Sequence, residues 1–364
     1  MIATRNDDKH AAITAENPLG LTGIEFVELS GPDPHAVGRL LRDMGFSRLM
    51  AHSARRVDYW RQNDIHMLVN TQPGSFAAAF QAAHGPCISA MGWRVVDAEH
   101  ALAAALERGA VRAEVCDYDR DGEPLPAIVG IGGSLVYFVE DGAPSDAEAR
   151  YGELGFVPLE DPTRVPELGF LTIDHLTNNV PKGEMGRWAD FYKGVFGFTE
   201  VRYFDIRGVK TGLQSYALRS PCGTFCIPIN EGTEEASQIS EYLREYNGPG
   251  VQHLAFLTKD IIASLHGLHA RGHVETLDID AEYYAQVFDR VPNVREDKAE
   301  IERLKILVDG DEAGYLLQIF TKNVLGPIFI EIIQRENHFS FGEGNFGALF
   351  RSIERDQEAR GVLA

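Results

Sequence analysis

Phe170-Leu171-Thr172-Ile173-Asp174-His175-Leu176 is the stretch that decides the fold. Its apolar, β-branched character predicts a strand. It leads into Trp188, Phe191, Tyr192 and Val195, spaced i, i+3, i+4, i+7 as on one helix face, and the pattern stops at Gly197-Phe198. The same plan stands near the N-terminus. Gly23-Ile24-Glu25-Phe26-Val27-Glu28-Leu29 leads into Val37, Leu40, Leu41 and Met44, which stop near Gly45-Phe46. A strand follows each helix. A second unit repeats as well: Asp97 precedes a helical stretch ending at Gly109, and Asp260 precedes one ending at Gly272, at the same separation. The chain therefore reads as two copies of one domain in an α+β fold. Each copy is a pair of βαβββ modules forming an open barrel. The expected boundaries are a loose tail over 1–20, a first domain over 21–150, a Pro-rich and acidic linker over 151–168, a second domain over 169–340 and a terminal helix over 341–364.

Function enters through a second stretch, Pro327-Ile328-Phe329-Ile330-Glu331-Ile332-Ile333. Every residue from 328 to 333 except Glu331 is apolar, so both faces of this strand are expected to be buried. A buried carboxylate is costly unless it pairs, neutralises or binds a metal. His175 lies in a comparable strand, and so does His253, within Val251-Gln252-His253-Leu254-Ala255-Phe256-Leu257. One strand histidine alone is ordinarily a satisfied core residue. Two of them with one buried carboxylate, at matching places in one module pair, fit the facial triad of a non-haem Fe(II) site. Alignment on the helices sets Glu28 against His175, Ala90 against His253 and Tyr137 against Glu331, so the first copy lacks the trio and reads as scaffold. His266, His269 and His273 also lie close together, but Gly272 ends their helix before the last, and they read as a solvated helix end.

Such a triad leaves the iron with a formal charge near +1 and three open positions. A 2-oxo acid can fill two and dioxygen the third. Lys+Arg 34 against Asp+Glu 54 gives a net charge of −20, which argues against nucleic acid or an anionic membrane as partner. No stretch approaches the ~18 apolar residues of a membrane span. The N-terminus lacks the apolar core of a secretion signal, and Cys87, Cys116, Cys222 and Cys226 show no CxxC spacing, so a cytoplasmic protein with reduced thiols is expected. Near the C-terminus Phe346, Leu349, Phe350 and Ile353 again follow helical spacing. Asn345 is placed to cap that helix, and FGEGN supplies glycine joints. The helix is expected either to act as a lid that excludes water or simply to pack on the barrel.

Four stretches carry a resemblance: GPGVQHLAFLT (248–258), YLLQIFTK (315–322), FIEIIQR (329–335) and FGEGNFGALFRSIERDQEARG (341–361). With these the chain resembles the 4-hydroxyphenylpyruvate dioxygenase family over about residues 20–364. The resemblance implies a vicinal-oxygen-chelate fold with the metal inside the C-terminal barrel. It implies Fe(II) on His175, His253 and Glu331. It places the substrate-lining polar positions on Ser215, Asn230, Gln238, Gln252 and Gln318, and the aromatic ones on Phe320, Phe329 and Phe346, with Asn345 beside the last. Gln318 and Phe346 take the catalytic roles. The implied reaction is 4-hydroxyphenylpyruvate plus O2 to homogentisate plus CO2, in tyrosine and phenylalanine catabolism. The implied assembly is a homo-oligomer, dimer or tetramer. Hydroxymandelate synthase, using the same substrate and iron, is the nearest alternative. Extradiol cleavage would need a further acid–base histidine. A non-catalytic ligand-binding module would have no need of a buried Glu331.

Overall fold

The computed structural model describes residues 13–141 and 147–363. The strands of the first half are β1 (Leu21–Ser30), β2 (Ser47–His52), β3 (Val57–Gln62), β4 (Ile65–Asn70), β5 (Cys87–Val95), the short β6 (Asp119–Arg120) and β7 (Glu123–Pro124), β8 (Ala127–Val129), β9 (Leu135–Glu140) and β10 (Phe156–Thr163). Those of the second half are β11 (Phe170–Val180), β12 (Thr199–Arg207), β13 (Gly212–Arg219), β14 (Cys226–Gly232), β15 (Gly250–Thr258), β16 (Leu307–Gly310), β17 (Tyr315–Phe320) and β18 (Phe329–Glu336). The helices are α1 (Pro34–Asp43), α2 (Phe76–His84), α3 (Ala98–Glu107), α4 (Ala147–Glu153), α5 (Met185–Phe191), α6 (Gln238–Glu245), α7 (Ile261–Arg271), α8 (Ala281–Arg290), α9 (Lys298–Arg303) and α10 (Phe346–Ala359).

Two curled eight-stranded sheets form, in the orders β10-β2-β3-β4-β1-β5-β9-β8 and β12-β13-β14-β11-β15-β18-β17-β16. In each, the first strand runs parallel to the last of its module and antiparallel to the first of the next. The repeated aspartates act alike. Asp97 and Asp260 each cap a helix by accepting from a backbone N–H, that of His100 for α3 and that of Ala263 for α7. The halves share one apolar core, in which Trp93 meets Phe196 and Phe225 at 4.7 and 5.5 Å. No helix of the described residues is long and apolar enough to cross a membrane.

The bulges repeat too. Glu25 is the extra residue between the pairs Ile24–Trp93 and Phe26–Gly92, as Asp174 is between Ile173–Phe256 and His175–Ala255. Ser89 and Gln252 are the matching extra residues on the partner strands. This register sets Phe26 opposite in role to His175, Ala90 to His253, and Tyr137 to Glu331. The expected counterpart of His175, Glu28, is thus two residues off and matches Thr177.

Two boundaries also differ. Residues 1–12 of the expected tail lie outside the described residues, while Leu19 is fully buried and Asn17 bonds both the N–H and the carbonyl of Leu21. The segment read as a linker contains β10, which pairs antiparallel with β2. Pro158 and Pro162 disguised it, yet an edge strand tolerates proline because one side of its backbone has no partner. Phe156 anchors it in the first barrel.

Candidate metal centre and cavity

β11, β15 and β18 are neighbours in the second sheet, and they bring His175, His253 and Glu331 to its concave face. Glu331 Oε2 lies 3.1 Å from His175 Nε2 and 3.5 Å from His253 Nε2. All three side chains are buried, and one ligand atom from each lies within 4.8 Å of the others. Burial would raise the Glu331 carboxyl, but the two imidazoles outweigh it and hold it at about 2. Burial would likewise lower His175, yet Glu331 and Asp174 push it up to about 9. His253 goes the other way, because burial outweighs its bonds to Glu331. An ionised carboxylate shared by two imidazoles is a donor set suited to a divalent transition metal. The His266 group is different: His266 pairs with Glu300 and His273 with Asp43, on the surface.

The outer nitrogens of the two imidazoles are held differently. His175 Nδ1 meets Asp174 Oδ2 at 2.8 Å, whereas His253 Nδ1 meets the neutral Gln252 Oε1 at 3.2 Å. Both partners are the bulge residues. A regular strand would turn Gln252 away from His253, and the bulge turns it back.

Beyond the ligands lies a cavity of about 160 Å³. Of the expected substrate residues, Ser215, Asn230, Gln238, Gln252, Gln318, Phe320, Phe329 and Phe346 line it. Ser215 and Asn230 are cross-strand partners on β13 and β14. The Phe329 ring stacks on His253 at 4.7 Å, and the Phe320 ring meets it edge-on at 6.2 Å. Gln318 is buried with neither amide atom hydrogen-bonded, an arrangement that leaves both for a ligand. Asn345 does not line the cavity and does not cap α10 with its side chain. Its Oδ1 accepts instead from Tyr283 (2.6 Å) and Arg290 (3.3 Å). The expected glycine joints are packing positions as well: a Cβ on Gly342 would stand 2.5 Å from the Gln318 amide, and one on Gly344 would collide with Arg290.

Phe346, Leu349, Phe350 and Ile353 all face the cavity, so α10 covers its mouth. Buried Glu354 ties the helix down by accepting from Val209, Lys210 and Thr211 N–H groups at 3.2, 3.0 and 2.9 Å. Gln357 and Arg360 bond Glu241 on α6. Sequence reasoning missed Asp174, Arg335 and Phe341. The strand alternation through Phe329, Glu331 and Ile333 continues to Arg335, and this was the available signal.

The comparisons agree with this geometry. Residues 15–148 match the family model described as "Hydroxyphenylpyruvate dioxygenase, HPPD, N-terminal", and residues 172–318 match "Glyoxalase/Bleomycin resistance protein/Dioxygenase superfamily". A 4-hydroxyphenylpyruvate dioxygenase of Legionella pneumophila is 43% identical over 351 residues, covering 95% of this chain and 98% of its own. The chain belongs to the 4-hydroxyphenylpyruvate dioxygenase family. Protein MelA of Shewanella colwelliana is another relative, 55% identical over 96% of this chain and 99% of its own. Among solved structures, a triple mutant of 4-hydroxymandelate synthase from Streptomyces coelicolor superposes with a TM-score of 0.80 at 26% identity, over 93% of this chain and 99% of that one. As a member of the dioxygenase family the chain is an enzyme of the vicinal-oxygen-chelate type, with tandem domains and a His-His-Glu cluster that could hold a metal ion.

Proposed function

We propose that this enzyme uses Fe(II) to convert 4-hydroxyphenylpyruvate and O2 into homogentisate and CO2. The observation that carries the reading is the facing of two unlike walls. His175, His253 and Glu331 form one, and uncharged Gln, Asn and Ser side chains with aromatic rings form the rest. Ferrous iron, when bound by the triad, supplies the dioxygen chemistry and the open positions for a chelating keto acid.

The chain's own residues do the orienting. Phe329 and Phe320 border the metal ligands with rings 74° apart and give the substrate ring a face and an edge to pack against. Gln318 offers an unpaired donor and acceptor within reach of the cavity. Ser215, Asn230 and Gln238 suit a phenol, since they can donate and accept without adding charge. Phe346 closes the ring site from α10 and packs edge-on against Phe204 at 5.4 Å. The helix excludes water from the reacting centre. We further propose a cytosolic homo-oligomer, dimer or tetramer.

Hydroxymandelate formation from the same substrate is the second reading, supported by the likeness to 4-hydroxymandelate synthase. The two differ in where the ring sits, not in the metal set. Extradiol cleavage is disfavoured because, among the described residues, His175 and His253 are the only histidines lining the cavity. The test is oxygen uptake by Fe(II)-reconstituted protein given 4-hydroxyphenylpyruvate, with product identification. Homogentisate in step with O2 consumption is expected. Hydroxymandelate would move the ring pose, and neither product from iron-loaded protein would overturn the substrate.

A further inference from the structure

One guanidinium outside the cavity touches both a metal ligand's support and the strap that leads to α10. Arg335 donates through Nε to Asp174 Oδ1 and through Nη2 to Asp174 Oδ2, both at 2.8 Å. The same Oδ2 receives His175 Nδ1. The remaining Arg335 nitrogen, Nη1, donates to the carbonyls of His338 (3.2 Å) and Ser340 (2.6 Å). Those two residues belong to the short strap between β18 and the lid. It ends at Phe341, whose ring stands edge-on to His175 at 5.7 Å. Asp174 and Arg335 are largely buried, with side chains 14% and 12% exposed, and neither lines the cavity. His253 has nothing comparable, since its outer nitrogen meets only an amide oxygen.

We propose that Asp174 and Arg335 form a positioning pair for the metal centre and the lid strap. His175 Nε2 donates to Glu331 in the structure; where a metal takes the place of that proton, the Asp174 carboxylate would keep the other proton on Nδ1 and so leave the Nε2 lone pair to the metal. The guanidinium fork fixes the carboxylate in one orientation. Its third nitrogen holds the strap so that Phe341 stays against the ligand ring. Ligand geometry and strap order are thereby coupled through a single side chain. The inference rests on the metal-centre reading.

The test uses the full chain, Co(II) titration followed by visible absorption, and amide exchange of residues 338–341. Asp174→Asn must present an N–H to His175 or to Arg335, and Arg335→Gln loses the fork. Each is expected to weaken Co(II) binding by about 10- to 100-fold, the usual effect of losing an outer partner of a ligating histidine. Arg335→Lys keeps a charge on Asp174 but cannot also reach both strap carbonyls. It should lose less affinity than Arg335→Gln while loosening the strap as much. Glu25→Gln is the structural control. Glu25 occupies the same bulge in the first half and bridges Arg94 and Arg150. It should lower stability and leave Co(II) affinity within about twofold. Native affinity in folded Asp174→Asn and Arg335→Gln would overturn the pair's role. If Asp174→Asn fails to fold, unchanged strap exchange in Arg335→Lys overturns it. A wild type that binds no Co(II) would instead remove the metal-centre reading, and the pair with it.

Discussion

Phe26 and His175 occupy one position in two copies of the same sheet, and the copies use it in opposite ways. In the first barrel the Phe26 ring meets Tyr118 and Tyr137 at 5.7 and 6.0 Å, and those two rings meet at 5.4 Å. Ala90 supplies only a methyl group where His253 stands in the other copy. α4 follows β9 as α10 follows β18, but its Tyr151 is driven fully inside, against Tyr59 at 4.2 Å. The interior is filled with rings. In the second barrel the same backbone holds a charged triad beneath an open cavity. A packed core and a hollow floored by a His-His-Glu cluster are thus alternative fillings of one scaffold. The filled copy supplies close packing that the hollow one lacks.

Glu28 is a buried acid of the filled copy. Its oxygens accept from Ser89 (2.5 Å), Asn70 (3.0 Å) and Tyr118. Burial outweighs these bonds and raises its pKa to about 7. Unlike Glu331, it has no imidazole on it, and burial, helped by the nearby Asp117 carboxylate, favours its protonated form.

The sharpest way to break the comparison is to exchange each half's key residue for a near isostere. Glu331→Gln is expected to cut turnover by more than about 10³-fold, well beyond the ~10- to 100-fold of an outer-shell loss. Steady-state oxygen uptake measures this directly. Next in size is a pH effect confined to the first half. Glu28 is protonated in the native protein up to about pH 7 but ionises near pH 4.5 when unfolded. Stability from this group is therefore full below about pH 4.5 and lost as pH rises to about 7. Glu28→Gln has no such titration. Relative to that variant, the wild type should lose up to roughly 3 kcal/mol between pH 4.5 and pH 8 in urea unfolding. A pH-independent difference would show that Glu28 is ionised throughout.

A third effect concerns α10, whose place after β18 is taken in the first half by α4 after β9. Glu354→Gln exchanges a carboxylate accepting several N–H groups for an amide. Protection at Val209, Lys210 and Thr211 should fall by about 2 kcal/mol in amide exchange. Unchanged protection would mean that the latch contributes nothing. Smallest is Tyr137→Phe, at the position of Glu331. It removes the acceptor for the Asp117 N–H (2.8 Å). About 1 kcal/mol of stability should be lost, with turnover unchanged. A loss of turnover would mean that the first half takes part in the chemistry.

Much of this was legible because it rests on periodicity and on the cost of burying charge. The helices after β1 and β11, the capping Asp97 and Asp260, and Glu331 amid isoleucines all declare themselves. What stayed hidden depends on single extra residues and on distant partners. The bulges at Asp174 and Gln252 leave no mark in the alternation, yet they decide what holds each histidine. α8 and α9 insert between α7 and β16, with Tyr284, Val287 and Ile301 buried, and were not read. Asn345 looked like a cap because nothing local reveals that Tyr283 and Arg290 claim its oxygen.

One half is expected to bind the metal and the other is not. Fe(II) bound per chain at saturation, measured without air for wild type, Glu331→Gln and Tyr137→Phe, tests it most directly. The expected result is one, none and one. Two ions per wild-type chain, or one retained by folded Glu331→Gln, would contradict it.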